Sequence, residues 1–144
     1  MREILFRGKR LQGGNWVEGY FFKSDINKRE RESGKATLIF TPDCDTFIMV
    51  PECHNSFMVV SDTVGQYTGL KDKNGKRIFE GDIIKWDYAY NEGKSYQVRY
   101  DVGGACFSAS REHNGDNTST IFYNDAQYTE IIGNVHDNPE LLEK

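Results

Sequence analysis

The stretch YTGLKDKNGKRIFEGDIIKW, residues 67–86, contains runs suited to β-strands that are separated by tight turns. Asn74 and Gly75 form the pair typical of a two-residue type I′ hairpin turn, in which both central residues have positive φ. Gly81 permits a second sharp turn that a Cβ atom would obstruct. Asp82 can accept backbone N–H bonds where the strand DIIKW begins. The stretch therefore predicts a hairpin that leads into a third strand.

The composition of the whole chain favours β-structure. Its 144 residues suit one ordinary domain or two very small ones, and they include nine Phe, eight Tyr and two Trp. Aromatic and β-branched side chains fit the pleated, half-buried surface of a sheet. Trp86 is accordingly expected in a core or at an interface, where its ring can be buried.

Turn signals along the chain predict a mainly β (all-β) fold in two regions. Residues 1–62 read as an N-terminal β hairpin or sheet region, and residues 63–144 as a small barrel of the SH3 type, the two sharing a core. Short strands with tight turns favour such a barrel over a βαβ unit, which needs helical crossovers. The charged run over residues 23–35 predicts an exposed loop. Asn138 and Pro139 predict the N-cap and first residue of a short C-terminal helix.

Charge and hydropathy limit the classes of function. Eighteen basic residues against twenty-two acidic ones give a net charge of −4, which disfavours general binding to phosphate backbones. We find no run typical of a signal peptide and no eighteen consecutive apolar residues, so we expect a cytoplasmic protein without a membrane partner. Cys44, Cys53 and Cys106 are an odd number of cysteines, which favours reduced thiols over a disulfide framework.

The hairpin tip is the strongest candidate for a binding site. Asn74 and Gly75 are surrounded by four basic residues, Lys71, Lys73, Lys76 and Arg77. Aromatic side chains lie nearby in the sequence. Cationic tips and stacking aromatics are how small barrels hold single-stranded nucleic acid. Charged residues at an exposed tip also serve solubility and protect strand edges, so both interpretations stand.

Catalytic and metal-binding patterns are weak. Glu80 and Asp82 could form an acid–base pair, but a structural turn explains Asp82 better. Cys53 and His54 are possible zinc ligands, yet the chain has no close CxxC pair, and a nucleophilic dyad would need further residues to orient it. The chain also lacks a phosphate-binding GxxxxGK[ST] motif and a GxGxxG motif placed after a strand. We therefore expect no cofactor, no metal and no enzymatic activity.

Four segments in order resemble one protein family. LFRGKR, NWVEGYFF, TVGQYTGLKDKNGKRIFEGDIIKW and EIIGNVHDNPELL together span nearly the whole chain, and they are similar to the YopX family of bacteriophage and prophage proteins. The resemblance implies a predominantly β structure that includes an SH3-type barrel. It implies no established biochemical activity and brings no catalytic residues.

The leading hypothesis is a non-enzymatic phage or prophage accessory protein that acts in the cytoplasm of the bacterial host. It would work through protein contacts, as a homo-oligomer or with a host or phage protein, because open strand edges and a docking tail can be shared between copies. The alternative is a nucleic-acid-binding module that uses the Lys71 to Arg77 hairpin. A third interpretation is a hydrolase or metal enzyme centred on Cys53, His54 or Asp82.

Overall fold

The computed structural model describes residues 3–24, 45–86, 94–113, 116–120 and 126–143, with the backbone alone for 112, 113 and 116–120. The predicted loop over residues 23–35 lies almost wholly outside this set, and so does Cys44. The strands are β1 (Phe6–Lys9), β2 (Trp16–Lys23), β3 (Thr46–Val50), β4 (Asn55–Met58), β5 (Gly65–Lys71), β6 (Arg77–Phe79), β7 (Asp82–Trp86), β8 (Ser95–Asp101), β9 (Cys106–His113), β10 (Asp116–Thr120) and β11 (Thr129–Asn134). Single-turn 3₁₀ helices occur at Pro51–Cys53, Ser61–Thr63, Ala126–Tyr128 and Pro139–Leu142.

The mainly β fold predicted from sequence is confirmed, since all strand pairs are antiparallel and the described helices are single turns. The chain divides into two compact units, Glu3–Gln66 and Tyr67–Lys144. The division falls inside β5, whereas the sequence placed a boundary between residues 62 and 63. The SH3-type barrel and the shared core stay predictions.

In the first unit, β1 to β4 form an antiparallel meander that curls until its first and last strands meet. Arg10 forms a β-bridge with Val59, the N–H of Leu11 donates to the carbonyl of Met58 at 3.0 Å, and the N–H of Val60 donates to the carbonyl of Lys9 at 2.9 Å. The other edge of β1 pairs with the first residues of β5. The curl gives this small sheet an enclosed inner face and an open outer face.

The inner face carries aliphatic side chains, the rings of Phe6 and Phe21, and two glycines. Ile48 and Val59 are almost completely buried. A Cβ atom on Gly8 would lie 3.0 Å from Cδ1 of Ile48, and one on Gly19 would collide with the carbonyl of Met49. Glycine at both positions lets backbone and side chains approach closely, so strands pack tightly beside the Phe6 and Phe21 rings, whose centroids lie 5.4 Å apart.

In the second unit, five antiparallel strands run in the order β10-β9-β8-β7-β11, and the rest of β5 forms a hairpin with β6. One side carries a continuous cluster of buried residues: Ile78, Ile84, Trp86, Tyr96, Val98, Ala109 and Ala126. The rings of Trp86 and Tyr96 meet edge to face with centroids 4.8 Å apart. Burying each large apolar side chain contributes roughly 1.5–3 kcal/mol, so this cluster contributes strongly to the stability of the unit.

The C-terminal helix begins at Pro139, as the sequence indicates, but it is a single 3₁₀ turn, and Asn138 does not cap it. The Asn138 side chain points back and accepts a 3.4 Å hydrogen bond from the N–H of Asn134. Leu141 packs over Gly133 of β11. A Cβ atom on Gly133 would lie only 2.8 Å from Cδ1 of Leu141. Packing against β11 therefore replaces capping as the interaction that holds this turn.

Candidate interaction surfaces

The predicted type I′ turn is wrong, since Gly75 has a φ of +78° but Asn74 does not have a positive φ. The N–H of Gly75 donates to the carbonyl of Asp72 at 3.0 Å, and the N–H of Asp72 donates to the carbonyl of Lys76 at 2.9 Å. This is the pattern of a three-residue hairpin loop that ends in a left-handed glycine. The longer loop forms because the carboxylate of Asp72 organises it.

Asp72 is buried, and its two carboxylate oxygens accept three backbone hydrogen bonds. Oδ1 accepts from the N–H groups of Asn74 and Lys76, both at 2.9 Å, and Oδ2 accepts from the N–H of Ile131 at 3.2 Å. The N–H of Lys73 also donates to the carbonyl of Thr129 at 2.9 Å. These hydrogen bonds join the hairpin tip to β11, and the carboxylate of Asp72 interacts with backbone N–H groups.

The Gly-Asp step at residues 81 and 82 is organised in a similar way. Gly81 has a φ of +88°, and Oδ2 of the buried Asp82 accepts a 2.8 Å hydrogen bond from the N–H of Phe79. The N–H of Gly81 donates to the carbonyl of Val98, and its carbonyl accepts from the N–H of Val135. These contacts assign Asp82 to the turn between β6 and β7.

The four basic residues of the hairpin tip are all exposed but differ in their contacts. Nζ of Lys73 lies 2.9 Å from Oε2 of Glu130, and Nζ of Lys85 lies 3.6 Å from the same oxygen. The hydrogen bond from Lys73 and the charges of both lysines hold the pKa of Glu130 below its ordinary value, although burial opposes this. Lys73 is therefore paired with a carboxylate, which it shares with Lys85.

The remaining three cations of the tip form a group. Lys71 lies directly opposite Arg77 in the β5–β6 register, and the Arg77 guanidinium lies 5.9 Å from the ring centroid of Tyr67. Lys71 and Lys76 form no ion pair with any residue of the described ranges. Like charges placed directly opposite each other destabilise a hairpin, so an anionic partner would relieve a cost here.

The other residues singled out in the sequence do not assemble into a site. Trp86 is buried in the core of the second unit, so its ring is not available as a platform. Cys53 is exposed and Cys106 is half-buried, and both are free thiols. Among the residues that the structure describes, no three His, Cys, Asp or Glu side chains come together as metal ligands.

Sequence reasoning missed an exposed apolar surface on the outer face of the first unit. Tyr20 lies opposite Met49, and Phe22 lies opposite Phe47, so these four side chains share one side of β2 and β3. The rings of Phe22 and Phe47 are stacked, with centroids 5.3 Å apart and an interplanar angle of 13°. Tyr20 is 50% exposed and Phe22 is 40% exposed. We call these four residues the aromatic face.

Sequence reasoning also missed a small pocket at the edge of β4, which has a volume of about 150 Å³. Its walls are Arg10, Gln12, Ser56, Phe57 and Met58. The Arg10 guanidinium lies over the ring of Phe57, 4.3 Å from the centroid. The two residues are far apart in sequence and meet only because the sheet curls, so no local motif could have revealed this pair.

Comparison with known proteins identifies both a family and a fold. The family model described as "YopX protein" matches residues 5–143. A solved structure, described as the crystal structure of protein EF1440 from Enterococcus faecalis, is 22% identical, and the alignment covers 99% of each chain with a TM-score of 0.52. Comparison with curated proteins gives no match. In the described part of the chain, no helix has the length and apolar character needed to cross a bilayer.

Proposed function

The chain belongs to the YopX family, and we propose that it is a non-catalytic accessory protein of a bacteriophage or prophage that acts through protein contacts in the cytoplasm of its bacterial host. The observation that carries this proposal is the aromatic face. Two aromatic side chains are 40% or more exposed on the outer side of the sheet, next to Phe47 and Met49. Covering apolar surface is favourable by roughly 25 cal/mol per Å², so a partner that covers this face gains affinity.

Another copy of the chain fits this role. An interface between identical copies can use the same patch twice around a two-fold axis, and sheets stacked face to face lie about 10 Å apart. Aromatic residues and methionine are enriched in such interfaces, while Lys, Glu and Asp are depleted there. The aromatic face has this composition, which supports self-association.

Sedimentation velocity across a concentration series tests the proposal. We expect the sedimentation coefficient to rise with concentration through the micromolar range, as a reversible monomer–oligomer equilibrium requires. A single monomeric species up to high micromolar concentration contradicts self-association through this face.

Binding to single-stranded nucleic acid is the second candidate function, favoured by the cross-strand placement of Lys71 and Arg77 with Lys76 close by. The net charge of −4 opposes it in general but leaves a local basic tip available. With a fluorescently labelled single-stranded oligonucleotide, binding would weaken with salt. Replacing these three residues by Ala would reduce the log–log salt slope by roughly 2, because each phosphate contact contributes about 0.7.

The variant Lys73→Ala serves as the control for this second function, because that charge is already paired with Glu130. It should change the salt slope less than Lys71→Ala or Lys76→Ala does. An affinity for the oligonucleotide that changes neither with salt concentration nor with the triple replacement would contradict the nucleic-acid function.

A further inference from the structure

Among the described residues, no strand pairs with the outer edge of β4 at Ser56, where β1 and β4 separate. β1 reaches β4 only at its end, where the N–H of Leu11 donates to the carbonyl of Met58. The chain then turns back, with Gly13 at a φ of +85° and the N–H of Arg10 donating to the carbonyl of Asn15 at 2.8 Å. The ladder between β1 and β4 therefore stops before it reaches Ser56.

The alternation of hydrogen bonds in an antiparallel sheet fixes the direction of the Ser56 backbone. A residue whose carbonyl points away from its ladder partner also has its N–H on that side, and every second residue repeats this orientation. The carbonyl of Met58 points outward to Leu11, whereas the N–H of Val59 points inward to the carbonyl of Thr46 at 3.0 Å. The N–H and carbonyl of the exposed Ser56 consequently point outward along the open edge.

The pocket of about 150 Å³ lies beside this edge, and Arg10 forms one of its walls. Arg10 is half-buried, and its guanidinium is stacked over Phe57, so one face of the guanidinium is covered and its orientation is restricted. Within the described ranges no carboxylate pairs with Arg10. A guanidinium has five N–H donors in a planar fork that matches a carboxylate, and a partly desolvated one binds such a group more strongly than an exposed one does.

We propose that this edge binds an extended acidic segment of a partner protein. The segment adds as a short strand beside β4, exchanging backbone hydrogen bonds with Ser56, and places an Asp or Glu carboxylate in the pocket on Arg10. A free anion has no backbone N–H and carbonyl for Ser56, so a peptide uses more of the site than a small ion does. The site rests on the proposed action through protein contacts, but it uses different residues from the aromatic face and does not depend on self-association.

Selection of random peptides displayed on beads against the full-length protein tests this site. We expect the selected peptides to share an Asp or Glu flanked by residues with high β-propensity, and we expect selection against Arg10→Gln to lose that acidic residue. Selected peptides with no shared acidic position, or the same peptides for both proteins, overturn the proposal.

Fluorescence anisotropy with one selected peptide measures the two halves of the site separately. Arg10→Gln should weaken binding by at least about tenfold, as should replacing the acidic residue of the peptide by its amide, since either change removes a charge-assisted hydrogen bond. Ser56→Pro should also weaken binding, because it removes the outward N–H, while an edge strand tolerates proline there. Arg99→Gln removes an exposed arginine of the second unit and should leave binding unchanged.

Each remaining outcome decides the assignment. If Arg10→Gln does not fold, the amide-substituted peptide and Ser56→Pro still test the two contacts, and unchanged affinity in both overturns the proposal. If Arg10→Gln abolishes self-association in sedimentation velocity, the segment belongs to a second copy, which overturns the assignment to another protein. In Arg10→Gln, loss of peptide binding with self-association retained supports the site, and loss of self-association with peptide binding retained overturns it.

Discussion

The segment over residues 72–82 and the surface of β2 to β4 differ in how far the fold uses their side chains. In the segment, the carboxylates of Asp72 and Asp82 are buried and accept backbone hydrogen bonds. On the surface of the first unit, by contrast, the rings of Tyr20 and Phe22 remain exposed, and Arg10 has no carboxylate partner in the described ranges. Groups that the fold already uses specify structure, and groups that it leaves unused are the better candidates for binding.

Among the tests of this comparison, removal of the Asp72 carboxylate should change the free energy of unfolding most. We expect Asp72→Ala to lower the free energy of unfolding of the second unit by about 3 kcal/mol, because three backbone N–H groups lose a charged acceptor. Urea denaturation followed by Trp86 fluorescence in a Trp16→Phe background measures this, since the chain has only these two tryptophans. Asp62→Ala, at an exposed carboxylate, should stay within about 0.5 kcal/mol.

A smaller effect is expected at Gly81. A Cβ atom there would make ordinary contact with Val135 at 3.6 Å, so the cost of Gly81→Ala is the strain of a left-handed φ, about 1–2 kcal/mol. The same urea experiment measures it. Gly103→Ala is the control, since Gly103 is exposed and its φ lies outside the left-handed region. Equal effects at the two glycines would contradict the structural role given to Gly81.

The smallest effect concerns the pairing of Lys73 with Glu130. The folded state lowers the pKa of Glu130 from an ordinary value of 4.5, chiefly through the Lys73 hydrogen bond. A lowered carboxyl pKa stabilises the fold above the ordinary value, and this contribution is lost as the pH falls through the folded pKa. Lys73→Ala should raise the pKa of Glu130 in an NMR titration of its side-chain carboxyl carbon. Lys94→Ala, at an exposed lysine, should leave it unchanged.

The sequence predicted what depends on neighbouring residues. Composition indicated strands, and Gly81 and Asp82 indicated a turn, because φ and the bond to Phe79 are local. It gave the wrong turn at Asn74 and Gly75, because one bond to the Asp72 carboxylate comes from Ile131, 59 residues away.

The aromatic face and the pocket beside β4 could not be predicted from the sequence for a related reason. Tyr20, Phe21 and Phe22 follow one another in β2, so aromatic residues lie on both sides of the strand and the alternation does not show which side is inside. The curl that joins Arg10 to Val59 decides this, and it also brings Arg10 to Phe57. Both surfaces are products of long-range pairing, which residue patterns do not encode locally.

The central claim is that the exposed aromatic side chains of the first unit mediate association. Sedimentation velocity of Tyr20→Ser/Phe22→Ser tests it most directly, beside the matched variant Tyr100→Ser/Val102→Ser, which removes two exposed apolar side chains from the second unit. We expect the first variant to be monomeric at concentrations where the wild type and the second variant associate. Association of the first variant equal to that of the wild type would contradict the claim.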